Sequence, residues 1–206
     1  MIDAAILPVQ RAVLEPSAKW LAVRNVPADA ITLVGFAIGL LAIPTLAAGW
    51  YLAALGLIGL NRLTDGLDGQ VARASGRAST RGAFLDIALD FVFYALVPLG
   101  FALADPEANA LAAAVLISGF VGTGSSFLAF AAIAGQRGIT ARRFPTKGIY
   151  YLGGLTEGFE TIAFFVLNCL FPDWFAPLAY GFALACAATT VTRWYQGWMA
   201  FSDLRA

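Results

Sequence analysis

Residues 30–61 read AITLVGFAIGLLAIPTLAAGWYLAALGLIGLN, a run without a single charged side chain. A helix crosses a bilayer in about 20 largely apolar residues, so this run is too long for one crossing. Its centre, Gly49-Trp50-Tyr51, joins a helix breaker to aromatic rings of the kind that settle at membrane interfaces. Two membrane helices separated by a tight turn account for the whole segment.

The same reading extends outward. Residues 91–104, 108–136, 161–172 and 174–192 are also free of charge, and the chain is 60% hydrophobic and 13% charged with a mean hydropathy of +0.76. That balance lies outside the range of soluble domains. The expected spans are 30–48, 51–74, 82–104, 108–134, 148–171 and 174–201. A closed β-barrel would instead alternate over segments of about 10 residues, which the long apolar runs contradict. The expected fold is an all-α integral membrane protein with six transmembrane helices. No repeat or linker divides residues 1–206, so they form one domain, with the bundle over 30–201.

Formal net charge is zero and no nucleic-acid partner is expected, but the thirteen basic residues are unevenly placed. Arg11, Lys19 and Arg24 precede the first span. Arg62, Arg73, Arg77 and Arg81 flank the second connection, and Arg137, Arg142, Arg143 and Lys147 fill the fourth. Arg193 and Arg205 lie near the C-terminus, and the remaining connections hold none. The positive-inside rule then puts both termini and the two basic loops on the cytoplasmic side of the inner membrane, which an even number of crossings requires.

Asp3, Pro8 and Arg11 interrupt the first twenty residues, so no signal-peptide core is present there. Ile2, Ala5, Ile6, Val9 and Val13 recur at helical spacing, which predicts a short amphipathic juxtamembrane helix within residues 1–24, lying on the cytoplasmic surface. Cys169 and Cys186 fall inside predicted spans without metal-ligand spacing and read as packing residues.

The informative charges are acids. Asp65 and Asp68 end the second span, and Asp86 and Asp90 begin the third. At 100° per residue the first pair lies about 60° apart and the second about 40° apart, so each pair occupies one helix face. A loop of roughly eight residues brings the two faces together at one end of the membrane. An acid well inside a membrane helix costs about 2.5–3.5 kcal/mol, and four together repel. Ion pairing with Arg62, Arg73, Arg77 and Arg81 is one remedy. Hard divalent cations are another, because carboxylate oxygens suit Mg²⁺, Mn²⁺ and Ca²⁺, and the chain has no His. Two ions so held suit phosphoryl chemistry. Gly66, Gly69 and Ala72 leave room between the acids for a ligand or another backbone.

Asp65-xx-Asp68-Gly69-xx-Ala72-Arg73, eight residues, then Gly82-xxx-Asp86-xxx-Asp90 resembles the signature of the CDP-alcohol phosphotransferase family, with eight identities at fixed spacing. The resemblance implies six membrane helices, an active site at the cytoplasmic face, CMP as leaving group and a homodimer. It implies that Asp65, Asp68 and Asp86 hold two divalent ions, Mg²⁺ or Mn²⁺, with Ca²⁺ a ligand that does not support turnover. Asp90 would complete the site and act as general base. Gly69, Ala72 and Gly82 would admit the nucleotide of the donor, and Arg73 would offset its charge. Where many members carry Pro-Asn before the first span, this chain has Ala28-Asp29, so Thr32 is the better nucleotide-binding candidate, and Asp29 is expected to cap the helix.

The amphipathic helix and membrane burial favour CDP-diacylglycerol as donor, and in size the chain resembles the bacterial phosphatidyltransferase branch of that family, which implies transfer of a phosphatidyl group to a polar alcohol. The alternatives are a CDP-linked polar alcohol transferred to a lipid hydroxyl, or a transporter. Transport calls for acids at mid-membrane and usually a repeat, and this chain has neither. A phosphorylated acceptor would need cations, which Arg142, Arg143, Lys147 and Arg193 can supply. Glu157 and Glu160, expected one turn apart on the fifth span, either pair with Arg193 or face the acceptor.

Overall fold

A computed structural model describes residues 2–138 and 154–202, with the side chains of 2–7 and 9 left aside. Among the described residues there are helices and no strand: α1 (Ile2–Val23), α2 (Ala28–Ala47), α3 (Tyr51–Ala74), α4 (Thr80–Ala104), α5 (Pro106–Gln136), α6 (Gly158–Leu170) and α7 (Phe175–Ser202), with a 3₁₀ turn at Pro172–Trp174. The all-α expectation holds.

Four of these helices are long and apolar enough to cross a membrane: α2, α4, α5, and α7 with its preceding turn. Only 28–33% of each apolar window is buried within the chain, so most of that surface faces outward. An apolar helix exposed on most sides is matched to lipid rather than water. α3 is 24 residues long, but its second half carries Arg62, Asp65, Asp68 and Arg73. α6 has 13 residues, about 20 Å at 1.5 Å per residue, less than the roughly 30 Å of a hydrocarbon core.

The turn at Gly49 is as expected: Gly49 adopts φ +75, a left-handed conformation open to glycine, and the chain reverses into α3. α2 then lies along both α3 and α4, α4 along α5, and α5 along α7. Two glycines let α2 approach closely. A β-carbon on Gly35 would overlap Thr64, and one on Gly39 would lie 2.8 Å from Asn61 Nδ2 and 2.9 Å from Phe93. Asn61 Nδ2 donates to the Gly35 carbonyl at 2.9 Å, satisfying a buried amide at the contact. The apolar core runs from Phe93 and Phe165 through Val97 and Ile58 to Phe101, which stacks on Phe175 with ring centroids 4.6 Å apart.

One expectation at the N-terminus holds and two others need correction. The N-terminal helix fills the expected residues 1–24 and is not interrupted by its prolines: it runs through Pro8 and Pro16 to Val23 and packs on α3. Gly66 is the reason it fits, because a side chain there would meet Gln10 and Leu14 of α1. Asp29 does not cap α2. The cap is Pro27, which offers no side-chain acceptor, and Asp29 in the first turn pairs with Arg81 at 2.5 Å. The fifth span, expected from residue 148, has its described helix begin at Gly158. Glu157 is extended (φ −117, ψ −171) and closes a capping box with Glu160, which fixes the start of the helix there. Residues 148–153 lie outside the described residues.

Candidate metal centre and donor site

The acids are positioned by the ends of two helices. α3 carries Asp65 and Asp68 on its last turns. Ser79 caps α4 by accepting the Gly82 N–H at 3.0 Å, which sets the phase of the turns bearing Asp86 and Asp90. One carboxylate oxygen from each of Asp65, Asp86 and Asp90 lies within 4.8 Å of the others. The pocket around them is lined by all four acids together with Thr32, Gly35, Asn61, Arg62 and Thr64.

Asp68 shares the pocket but is engaged differently. It is buried (5% exposed); its Oδ2 accepts the Thr32 hydroxyl at 2.5 Å and its Oδ1 accepts the Gly69 N–H at 2.5 Å. Thr32, singled out in place of the missing Asn, therefore reaches the acid cluster directly. Gly69, Ala72, Arg73 and Gly82 lie on the final turns of α3 and the first turn of α4, outside the pocket lining. Gly69 lies under the Arg73 guanidinium, and a β-carbon on Gly82 would approach Asp29 Oδ1 to 3.2 Å.

Ion pairing with Arg62 also occurs. Arg62 Nη2 donates to Asp90 Oδ1 at 2.7 Å, and Nη1 makes a long 3.5 Å contact with Asp65 Oδ2. The guanidinium is held further by Asn61 Oδ1, which accepts from Nε and Nη2 at 2.8 and 2.7 Å, and by Tyr94 Oη, which accepts from Nη1 at 3.2 Å. Its carbon lies 5.0 Å from the Phe93 ring centroid, within cation–π range. Arg81 pairs outside the cluster, with Asp29, and Arg77 donates to Asn25 Oδ1 at 3.1 Å.

Asn61 and Tyr94 are site residues that sequence reasoning passed over. The signal was available in part, since Tyr94 follows Asp90 by four residues and extends the stripe that pairs Asp86 with Asp90.

Hard oxygen donors at this separation fit a divalent cation. Three carboxylates converge, no His is present in the chain, and both Cys are buried elsewhere.

The acceptor candidates gather at another place or fall outside the described residues. Arg142, Arg143 and Lys147 are among the latter. Glu157 and Arg193 are both buried, at 6% and 7% exposure. Glu157 Oε1 accepts the Gly154 N–H at 2.9 Å, and Arg193 Nη2 lies 3.2 Å from where a Gly154 β-carbon would stand. Arg193 Nη1 also donates to the Thr123 carbonyl at 2.9 Å, and Glu160 accepts the Glu157 N–H at 3.1 Å. Thr189 Oγ1 accepts the N–H groups of Leu155 and Thr156 at 3.1 and 3.2 Å. Residues 154–157 are thus tied to α7.

The sequence matches the family described as CDP-alcohol phosphatidyltransferase over residues 25–195. It is 53% identical over 205 residues to the Escherichia coli inner membrane protein YnjF, covering 100% of this chain and 99% of that one. It is also 36% identical over 93 residues to an archaetidylinositol phosphate synthase of Methanothermobacter thermautotrophicus, covering 45% of this chain and 46% of that one. The crystal structure of the Mycobacterium tuberculosis phosphatidylinositol phosphate synthase with CDP-DAG bound superposes with a TM-score of 0.71 at 21% identity, covering 91% of this chain and 94% of that one. At that identity the last likeness is one of fold.

Proposed function

The chain belongs to the CDP-alcohol phosphatidyltransferase family, and on that premise we propose that it moves a phosphatidyl group from CDP-diacylglycerol to the hydroxyl of a polar alcohol, releasing CMP. The observation that carries this reading is the convergence of Asp65, Asp86 and Asp90 within 4.8 Å beside Asp68. Asp65, Asp68 and Asp86 would hold two divalent ions, Mg²⁺ or Mn²⁺, with Asp90 completing the set. When bound, such ions neutralise phosphate oxygens and stabilise a departing phosphate.

The chain's own residues then have distinct tasks. Asp90 takes the proton of the acceptor hydroxyl as its oxygen bonds to the lipid-linked phosphorus. The phosphorus–oxygen bond to CMP breaks, and CMP leaves with the electron pair. A carboxylate is a weak base for an alcohol, so placement within hydrogen-bond reach matters more than basicity. Thr32 orients Asp68, and Gly69, Ala72, Arg73 and Gly82 form the approach for the nucleotide.

We assign the whole of residues 1–206 to a single domain in the inner membrane, a placement supported by the 53% identity to an E. coli inner membrane protein. α3 and the apolar run 148–171, of which α6 is the described part, add to the four long apolar helices to give six crossings, with the acid cluster, both termini and the basic loops on the cytoplasmic side and α1 along that surface. The functional unit is a homodimer.

Similar proteins named archaetidylinositol phosphate synthase and phosphatidylinositol phosphate synthase make a phosphorylated polyol the first acceptor to test. Glycerol 3-phosphate, serine, inositol, choline and phosphatidylglycerol follow. Arg142, Arg143, Lys147 and Arg193 would meet the phosphate of such an acceptor, and Glu157 and Glu160 would select among polar head groups. The alternative donor and acceptor pair is a CDP-linked polar alcohol and a lipid hydroxyl.

Purified protein incubated with Mg²⁺, CDP-diacylglycerol and the acceptor mixture should release CMP and yield a lipid whose mass equals phosphatidate joined to one acceptor. Absence of CMP release with every acceptor overturns the proposed donor.

A further inference from the structure

Arg62 is not one of the eight signature residues, which begin three positions later at Asp65. It lies one helical turn before Asp65 on α3, and its partner Tyr94 lies one turn beyond Asp90 on α4. The guanidinium therefore closes the pocket between the carboxylates and the aromatic rings of Phe93 and Tyr94. Its contacts are divided. Asn61, itself fixed to the Gly35 carbonyl, and Tyr94 hold the fork from the protein side, while Asp90 and Asp65 take the remaining N–H groups.

Two of the three carboxylates that converge on the candidate ion position are thus also partners of a fixed monocation. A guanidinium and a divalent ion on the same carboxylates repel each other, and the lone pair of Asp90 Oδ1 that Arg62 occupies is unavailable to an ion. Asn61 and Tyr94 keep the guanidinium in place when Asp90 is given up, because three of its N–H groups bond to them and not to the acid.

We infer that Arg62 is a tethered counter-ion that competes with a divalent cation for Asp90, holding the acid cluster together when the ion is absent and yielding Asp90 when it binds. This makes Arg62 a positioning residue for Asp90. The inference rests on the metal-binding reading above.

The test is Mn²⁺ affinity, followed by the paramagnetic resonance of free Mn²⁺ in detergent-purified protein. Arg62→Met should bind Mn²⁺ roughly tenfold more tightly than the wild type, the size expected when a charge-assisted competitor is removed. In an Asp90→Asn background the same substitution should change affinity less than about twofold, because the carboxylate that Arg62 holds closely is gone and the contact with Asp65 is long. Arg62→Lys keeps a charge but cannot hold Asn61, Tyr94 and Asp90 at once, so it should fall between the two. It decides the matter, alone and with Asp90→Asn, if the Met variant does not fold. EDTA should lower the melting temperature of either variant more than that of the wild type.

Unchanged or weaker Mn²⁺ binding in the variants overturns the inference, as does tightening that persists undiminished with Asp90→Asn, which marks a general charge effect. A wild type that binds no Mn²⁺ overturns the metal reading and this inference together. Binding by the wild type with no change in the variants overturns only the latter.

Discussion

The Thr32 hydroxyl donates to Asp68 Oδ2 at 2.5 Å across thirty-six residues of chain, joining α2 to α3 inside the acid pocket. The carboxylate it holds is buried and takes its second bond from the Gly69 N–H. Removing one donor leaves a desolvated oxygen unsatisfied, which costs about 1–3 kcal/mol. Thr32→Val, matched in shape, should lower the melting temperature and raise KM for CDP-diacylglycerol, and Thr32→Ser should restore both. An unaltered melting curve and KM for the valine variant would show that this bond carries neither stability nor donor binding.

Asp90 lies between Arg62 and the other converging acids, the position proposed for the general base. Asp90→Asn keeps the size of the side chain and its oxygen acceptor for Arg62 while removing the base. CMP release should fall on the order of 10²–10⁴-fold, the usual range for loss of general-base catalysis. Circular dichroism and gel filtration should match the wild type. Appreciable remaining turnover in a folded variant would remove Asp90 from that role.

Chelation separates the ions from the acids. EDTA should stop turnover, and Mg²⁺ or Mn²⁺ added in excess should restore it, while Ca²⁺ should bind without restoring it. The comparison is initial rates of CMP release before and after each addition. A rate insensitive to EDTA would rule out a divalent ion in the reaction.

The acid cluster was legible in the sequence because charge inside apolar runs has few uses and because spacings of three and four residues put each pair on one face. Thr32 was legible from its place beside the altered Ala28-Asp29 position. Arg62 was visible only as one arginine among several near a helix end, where a basic residue reads first as a topology signal. Its assignment depends on Tyr94, thirty-two residues away on another helix, which no local pattern supplies. Gly66 read as room for a ligand or a backbone, and the neighbour proved to be α1. Glu157 read as a charge inside the fifth helix, near its cytoplasmic end, because the expected span began at residue 148. A glutamate cap has the geometry of a capping box without the Ser or Thr that usually marks one.

Helix approach at Gly39 gives a stability prediction independent of chemistry. A methyl group there would meet Asn61 Nδ2 at 2.8 Å and Phe93 at 2.9 Å, both closer than real β-carbon contacts allow. Phe93 is fully buried and Asn61 is bonded to Gly35, so neither can move freely. Gly39→Ala should cost about 1–3 kcal/mol, as overpacking of a tight core does. The opposite result, an increase in melting temperature from the better helix propensity of Ala, would show that α2 can move away from α3 without penalty. Gly56, which has open space around it, is the control: Gly56→Ala should be neutral or stabilising.

The roles of Glu157 and Glu160 can be separated by what each substitution leaves intact. Glu160 reaches back to the Glu157 N–H, and Glu157 accepts the Gly154 N–H, so both stabilise the start of α6. Glutamine keeps an oxygen acceptor of the same length and removes the charge, whereas alanine removes the cap as well. Glu160→Ala should cost about 1 kcal/mol, as loss of a cap does, and Glu160→Gln a few tenths. Against a panel of acceptors, a selecting carboxylate would make Glu157→Gln change the ratio of kcat/KM between amine-bearing, polyol and phosphorylated substrates while thermal stability changes little. A cap alone would lower kcat/KM for every acceptor together, in step with stability, and leave the ratios unchanged. Unchanged acceptor preference in both glutamine variants would remove the proposed selecting role and leave the two residues as the fastening of α6.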